Sequence, residues 1–161
     1  MKKPLPTRRR FLAASATATF GFQFFRGHLF GAEAPSNKLN LAAIGVGAKG
    51  QGTANLRACA VENIVALCDV DADYAAPTFA RYPSAKTYVD YRVMLEKQKD
   101  IDAIIIATPD HTHAVITLAA LAAGKHVYCQ KPLTQTLGEC RAVYETAQAA
   151  GVMTSMGNQG H

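Results

Sequence analysis

The feature that most constrains the fold of this chain is a glycine-rich turn placed directly after a short apolar run. Residues 39–50 read LNLAAIGVGAKG, so Gly45, Gly47 and Gly50 have the spacing G-x-G-x-x-G, and Asp69 follows nineteen positions after the third glycine. In such a turn the first glycine permits a sharp exit from a strand, the second lets the backbone approach a pyrophosphate, and the third lets a helix pack close to the strand. The pattern predicts a dinucleotide-binding turn, with phosphates at the N-terminus of the following helix.

The residues around the turn support this prediction. Residues 40–46 are mainly small and β-branched and predict a strand, residues 51–59 can follow as a helix, and residues 63–67 (NIVAL) predict a second buried strand that ends near Asp69. The alternative, a glycine-rich turn beside a solvated aspartate, is disfavoured by these flanks. Asp69 would accept hydrogen bonds from the adenosine ribose hydroxyls and repel a 2′-phosphate, so we expect NAD rather than NADP.

The chain beyond this region continues to alternate between strand and helix patterns. Further strands are predicted over short apolar runs, namely 85–89, 102–107, 126–129 and 152–156. Further helices are predicted between them, namely 71–80, 91–98, 111–123 and a last helix that begins after residue 136 and ends at residue 151. Because strands alternating with helices imply right-handed crossovers, we expect an α/β fold with a Rossmann-type, doubly wound parallel sheet of about six strands.

Several residues predict where these helices begin and end. Asp110 is expected to cap the helix at 111–123, which Gly124 should end. Thr136 and Glu139 have the spacing of a capping box at the start of the last helix. Pro77 should lie near the start of the helix at 71–80 or kink it.

The N-terminal segment has the order of parts of a twin-arginine export signal. Residues 7–12 read TRRRFL, a mostly apolar stretch follows over residues 13–25, and small residues follow at 32–34. The apolar stretch at 13–25 has thirteen residues, which is fewer than the roughly 20 needed to cross a bilayer as a helix, so no stable membrane span is expected. The alternative is a basic tail with an amphipathic helix. We predict a signal peptide over 1–34, a dinucleotide-binding domain over 35–161, and export to the periplasm.

The net positive charge of the chain belongs to the predicted signal. The chain has 17 Lys and Arg against 12 Asp and Glu, and residues 1–34 carry six of these bases and one of these acids. The remaining 127 residues carry eleven bases and eleven acids, and they are enough for one domain with a sizeable core. Because no basic face remains, no nucleic-acid partner is expected.

Neither the cysteines nor the histidines have the spacing of a metal site. The chain has four cysteines without a Cys-x-x-Cys pair, namely Cys59, Cys68, Cys129 and Cys140. Buried thiols are expected rather than a zinc site or a disulfide framework. His111 and His113 are metal ligands by type but lack a third ligand nearby, so we expect them to line the cleft or cap the helix.

The polar residues of interest follow the predicted strands. In a doubly wound sheet, ligands bind beyond the carboxyl ends of the strands, near the point where the strand order reverses. Five loops of this chain are expected at that edge, namely 45–50, 68–71, 108–113, 129–134 and 157–161. Thr108 and Pro109 are expected to pack against the cofactor.

Four motifs in this order resemble those of the Gfo/Idh/MocA oxidoreductase family. They are GVGAKG at 45–50, CDVD at 68–71, ATPDHTHA at 107–114 and YCQKPL at 128–133. The resemblance covers residues 38–161, and the final MGNQGH is similar to the exported branch of that family. The resemblance implies an NAD-binding Rossmann domain, which in family members is joined to a second domain that supplies the substrate pocket.

The resemblance also implies which residues form the site. The family has Glu-Lys-Pro after the fifth strand, with its lysine beside the nicotinamide and the reacting hydroxyl of the substrate. By that match Lys131 is the expected catalytic residue, Gln130 replaces the glutamate, and the bond between Lys131 and Pro132 is expected to be cis. The full set of expected cofactor-binding residues is Gly45, Gly47, Ala48, Lys49, Gly50, Asp69, Thr108, Pro109, His111, His113, Gln130, Lys131, Pro132 and Gln159.

The leading functional prediction is the NAD-binding half of an exported oxidoreductase that acts on a sugar or polyol by hydride transfer. A hydride transfer needs substrate held against the nicotinamide, so we expect this chain to be a fragment that is inactive without its second domain. Two alternatives stay open: a related enzyme that uses bound NAD for a redox-neutral cleavage of glycosides, and a nucleotide-binding module without catalysis. The substrate is not named by the sequence, and a homo-oligomer is one of the states it permits.

Overall fold

The computed structural model describes residues 37–47 and 50–158. The chain divides after Lys38, and the α/β domain runs from Leu39 onward. The predicted twin-arginine signal lies outside the described residues. Three predicted cofactor-binding residues also lie outside them, namely Ala48, Lys49 and Gln159.

Within the described residues, six parallel strands form one sheet in the order β3-β2-β1-β4-β5-β6. The strands are β1 (Asn40–Ile44), β2 (Asn63–Cys68), β3 (Lys86–Tyr88), β4 (Ala103–Ile106), β5 (His126–Gln130) and β6 (Thr154–Gly157). The order reverses between β1 and β4, which lie side by side at the centre of the sheet. The predicted doubly wound Rossmann sheet is therefore confirmed.

Five α-helices of the described region connect these strands. They are α1 (Gln51–Ala58), α2 (Ala72–Arg81), α3 (Tyr91–Lys97), α4 (His113–Ala122) and α5 (Leu137–Ala150). Each strand and helix predicted after residue 39 is present, with bounds that differ by no more than two residues from those predicted. None of the described helices has the length and apolar character needed to span a bilayer.

Two apolar clusters cover the two faces of the sheet. Alternate residues of β1 point to opposite sides, so that Ala42 and Ile44 belong to one cluster and Leu41 and Ala43 to the other. All four side chains are at most 5% exposed. A strand that is buried on both faces has no polar face to maintain, which explains why β1 is a continuous apolar run.

The capping box at the start of α5 is confirmed. The hydroxyl of Thr136 accepts a hydrogen bond from the backbone N–H of Glu139 at 3.2 Å, and the Glu139 carboxylate accepts from the N–H groups of Gln135 and Thr136, each at 2.9 Å. These bonds, from Gln135 first and then Thr136, hold the pKa of the Glu139 carboxyl below its usual value. At the other end, Gly151 adopts a left-handed conformation with φ +64°, which ends the helix as predicted.

The helix cap predicted at Asp110 is wrong. Residues 110–112 form a 3-10 turn, and α4 begins only at His113, without a side-chain cap. Because Asp110 lies within this turn, it does not occupy the position from which a side chain caps a helix. Gly124, with φ +69°, ends α4 as predicted. Pro77 lies inside α2 at its sixth residue, rather than near its start.

All four cysteines are free thiols. Cys68 and Cys129 are buried near the ends of β2 and β5, as predicted. Burial raises the pKa of Cys68 to about 12 and that of Cys129 to about 11, so both thiols stay neutral near pH 7. Cys59 is half-buried at the end of α1. The prediction of a buried thiol is wrong for Cys140, because it lies in the first turn of α5, which is itself largely exposed.

Candidate cofactor-binding site

An apolar cleft of about 450 Å³ lies at the carboxyl edge of the sheet, beyond the point where the strand order reverses. Its walls come from the loops that follow β1, β2, β3 and β4, together with residues of α2, α3 and α4. Seven of the predicted cofactor-binding residues line it, namely Gly45, Gly47, Gly50, Asp69, Thr108, Pro109 and His111. The topology thus brings together residues that are more than sixty positions apart in the sequence.

The first glycine of the motif has the geometry that a sharp turn requires. Gly45 has φ +82°, in the region that side chains with a Cβ rarely adopt. A Cβ at this position would lie 2.7 Å from backbone atoms of Ala107 and Thr108, so the loop after β1 packs directly on the loop after β4. The N–H of Gly45 donates to the carbonyl oxygen of Cys68 at 2.9 Å, which ties the same turn to the end of β2.

The motif spacing predicted that Gly50 allows the close approach of α1 to β1. In the structure this close approach depends on Gly52 instead. A Cβ at Gly52 would overlap the carbonyl oxygen of Gly45, whereas a Cβ at Gly50 would meet the carbonyl oxygen of Gly47 at an ordinary 3.5 Å. Gly50 precedes the helix in an extended conformation and is exposed, while Gly52 is buried within the first turn. Both positions are glycine in this sequence, so spacing alone cannot show which one faces the strand.

The start of α1 fits a bound phosphate group. No acidic side chain lies in its first turn, and no side chain caps it at Gly50. The first N–H groups of a helix have no partner within the helix and carry its positive dipole end, which suits an anion. The buried Thr53 hydroxyl donates to the carbonyl oxygen of Gly47 at 2.9 Å, which holds the glycine-rich turn against this helix.

Asp69 lines the same cleft from the loop after β2. Its Oδ1 atom accepts a hydrogen bond from the N–H of Asp71 at 3.1 Å, and its own N–H donates to the carbonyl oxygen of Tyr88. The half-buried carboxylate is therefore held in the cleft wall by local backbone bonds. Among the described residues that line the cleft there is no Lys or Arg, the cation that would favour a 2′-phosphate.

Tyr74 forms a further wall of the cleft that the sequence reasoning missed. It lies on α2, is 50% exposed, and its ring occupies the space that a Cβ at Gly47 would need. Its placement depends on Asp71, whose side chain caps α2 by accepting from the N–H of Tyr74 at 2.9 Å. The sequence predicted the helix at 71–80, but neither the cap at Asp71 nor the approach of the ring to Gly47.

His113 does not line the cleft or cap a helix, so its predicted role is wrong. Its ring is 1% exposed. Its Nδ1 atom lies 2.7 Å from the carbonyl oxygen of Pro132, and its Nε2 atom lies 2.8 Å from the carbonyl oxygen of Thr108. Both ring nitrogens are thereby engaged by backbone, while His111 is exposed at the cleft.

The last residue of β5 and the residues that follow this strand form a second group, outside the cleft lining. The peptide bond between Lys131 and Pro132 is cis, as the family resemblance implied, and the Lys131 side chain is exposed. Gln130 is 4% exposed, and its Nε2 atom has no hydrogen-bond partner. Leaving such a buried donor unpaired costs about 1–3 kcal/mol, so this amide fits a site where a ligand supplies the acceptor.

Across residues 37–47 and 50–158, no three His, Cys, Asp or Glu side chains come together as they do around a bound metal ion. The three elements that the structure does bring to one edge are the glycine turn, the Asp69 carboxylate and the loop of Lys131.

Comparison with known proteins identifies the family to which this domain belongs. Residues 39–158 match the Gfo/Idh/MocA family, described as an oxidoreductase family with an NAD-binding Rossmann fold. An inositol 2-dehydrogenase of Klebsiella pneumoniae is 38% identical over 119 residues, which are 70% of this chain and 34% of that protein. A levoglucosan dehydrogenase of Pseudarthrobacter phenanthrenivorans is 33% identical over 87 residues, which are 54% of this chain and 22% of that protein.

A crystal structure of an NAD-binding oxidoreductase from Klebsiella pneumoniae superposes with a TM-score of 0.66 and 31% identity, over 74% of this chain and 34% of that one. The chain therefore spans about a third or less of the length of these relatives. The family match covers nearly all of the described α/β domain. The chain belongs to the Gfo/Idh/MocA oxidoreductase family, and residues 39–158 are its NAD-binding Rossmann domain.

Proposed function

We propose that this chain is the NAD-binding part of an exported oxidoreductase that transfers a hydride between NAD and a sugar or polyol. The observation that carries the proposal is the joint placement of the Gly45 turn, Asp69 and the loop of Lys131 at one edge of the sheet. The similar proteins named as dehydrogenases of inositol and levoglucosan support a substrate with several hydroxyl groups.

Different parts of the site would hold the two halves of the dinucleotide. Asp69 follows β2 and would accept hydrogen bonds from the adenosine ribose, while Gly47 and the start of α1 would hold the pyrophosphate. The nicotinamide half would then lie beyond β4 and β5, on the other side of the point where the strand order reverses. There the unpaired Gln130 amide would donate a hydrogen bond to a carbonyl or hydroxyl oxygen.

Lys131 is the residue that we assign to proton transfer. NAD supplies the hydride acceptor when it is bound. The side-chain amine of Lys131 takes the proton of the substrate hydroxyl when an alcohol is oxidised to a carbonyl, and it returns that proton in the reverse direction. The exposed position of Lys131 after β5 leaves its side chain able to reach a substrate.

The proposed activity is tested with protein that includes the coding sequence beyond His161. Incubation with NAD and a panel of sugars and polyols should produce NADH together with an equal amount of oxidised product. Cleavage of a glycoside without net NADH would instead identify the redox-neutral enzyme. Binding of NAD without turnover of any substrate in the panel would favour the nucleotide-binding module.

The preference for NAD over NADP is expected to depend on Asp69. Asp69→Ala removes the acceptor for the ribose hydroxyls and the charge that repels a 2′-phosphate, so NAD should bind about tenfold to a hundredfold more weakly, and the preference over NADP should shrink. Calorimetry with NAD and with NADP measures both affinities and therefore the preference. Asp73→Ala is the matched control, because Asp73 is an exposed acid on α2 outside the cleft lining. Equal affinity of the unmutated chain for both cofactors would contradict the assignment.

Export is expected to require the arginine pair at residues 8 and 9. Arg8→Lys combined with Arg9→Lys keeps the charge but removes the twin-arginine signature, so the protein should stay in the cytosol with unchanged nucleotide binding. Cell fractionation measures the distribution. Lys2→Arg combined with Lys3→Arg changes a neighbouring basic pair and should leave export intact. Periplasmic delivery of the variant at residues 8 and 9 would show that the N-terminal segment has another role.

A further inference from the structure

His113 connects two loops that leave the sheet side by side. It is the first residue of α4, and its ring is bonded to the carbonyl oxygens of Thr108, after β4, and of Pro132, after β5. The hydroxyls of Thr108 and Thr112 also share a hydrogen bond of 2.7 Å, which fixes the first of these loops independently. The ring therefore links a wall of the cleft to the residue that follows Lys131.

The chemistry of this link follows from the atoms that face the buried ring. Both partners are carbonyl oxygens, which only accept, so each bond needs a proton on the ring nitrogen that faces it. A ring with one proton donates to one carbonyl, and a ring with two protons donates to both. A ring of the same shape without nitrogen atoms could donate to neither carbonyl oxygen, so the hydrogen-bonded link between the two loops would be lost.

We propose that His113 is a positioning residue for the nicotinamide half of the NAD site. The inference rests on the proposed function, which places the adenosine half beyond β1 and β2 and the nicotinamide half beyond β4 and β5. His113 is too deeply buried to line the cleft and acts through two backbone carbonyls. By joining the loop of Thr108 to the loop of Pro132, it fixes the spacing between the cleft wall and Lys131.

The test compares NAD with ADP-ribose, which is NAD without its nicotinamide. His113→Phe keeps a planar ring but removes both nitrogen atoms, so the chain should bind NAD about tenfold more weakly while its affinity for ADP-ribose changes by less than about twofold. His126→Phe is the matched control. His126 begins β5 at the opposite edge of the sheet, where its Nδ1 accepts from the N–H of Met153 at 2.9 Å. His126→Phe should leave the affinities for NAD and for ADP-ribose unchanged.

If His113→Phe weakens the binding of NAD and of ADP-ribose equally, or weakens the binding of neither, the positioning role is overturned while NAD binding by the domain stands. If the unmutated chain binds neither ligand, the proposed function fails and this inference fails with it. Should His113→Phe not fold, the ring signals of His113 in the unmutated chain provide the measurement by nuclear magnetic resonance. NAD should shift them and ADP-ribose should not, and equal shifts with the two ligands would overturn the proposal.

Discussion

Gly47→Val is expected to abolish NAD binding while leaving the α/β domain folded. The side chain would place two methyl groups where the pyrophosphate must approach the backbone of the glycine-rich turn. Gly47 does not have a positive φ, so its backbone conformation is open to other residues, unlike that of Gly45. Calorimetry should show affinity for NAD lowered by more than about a hundredfold, or roughly 2.7 kcal/mol, with little change in the circular dichroism of the domain.

The position of Tyr74 makes a second variant necessary. Because the Tyr74 ring lies where a Cβ at Gly47 would be, Gly47→Val must also displace this ring. Tyr74→Ala removes the overlap. The affinity of this single variant for NAD should lie within about tenfold of that of the unmutated chain. The double variant should still fail to bind NAD, since the valine would still face the pyrophosphate. Recovery of binding in the double variant would show that Gly47 is required for contact with Tyr74, and that its assignment to the pyrophosphate is wrong.

The centre of the sheet could be predicted from the sequence because β1 and β4 are buried on both faces, whereas the edge strands β3 and β6 are mostly exposed. A strand such as β1, with Leu41 and Ala42 in opposite clusters, has to be a continuous apolar run, and the turns between such runs then mark the helices. The capping box at Thr136 and Glu139 was also predictable, because its partners are three residues apart. The start of α4 was predicted wrongly, because Asp110 is a favourable cap residue by type, whereas the chain forms a 3-10 turn over residues 110–112 before the α-helix begins.

The parts of the candidate site that sequence reasoning missed depend on contacts between distant segments. Gly52 was missed because its role depends on how α1 lies against Gly45. Tyr74 was missed because its ring reaches Gly47 from a different crossover helix. His113 was predicted as a cleft residue, yet one of its partners, Pro132, lies nineteen residues further along the chain and follows the neighbouring strand. A motif gives the residue types that a site needs, and the packing of the loops decides which of them face the ligand.

Lys131→Ala is expected to separate binding from chemistry. It removes an exposed amine after β5 and leaves the glycine turn and Asp69 intact, so the affinity for NAD should change by less than about tenfold, or roughly 1.4 kcal/mol. In protein that carries the second domain, turnover should fall by about two to four orders of magnitude, which is the usual contribution of a positioned acid–base group. Steady-state rates with a confirmed substrate, and calorimetry with NAD, measure the two effects on the same variant.

Lys125→Ala is the matched control for this substitution. Lys125 precedes β5 at the opposite edge of the sheet, where its amine donates to the carbonyl oxygen of Lys99 at 2.9 Å. Its removal deletes an amine of the same kind and one hydrogen bond, so stability should fall slightly while turnover stays within about twofold. A loss of turnover confined to Lys131→Ala then assigns the proton transfer to that amine. Near-normal turnover of Lys131→Ala would instead make Lys131 a structural lysine, and the catalytic role implied by its family motif would be wrong.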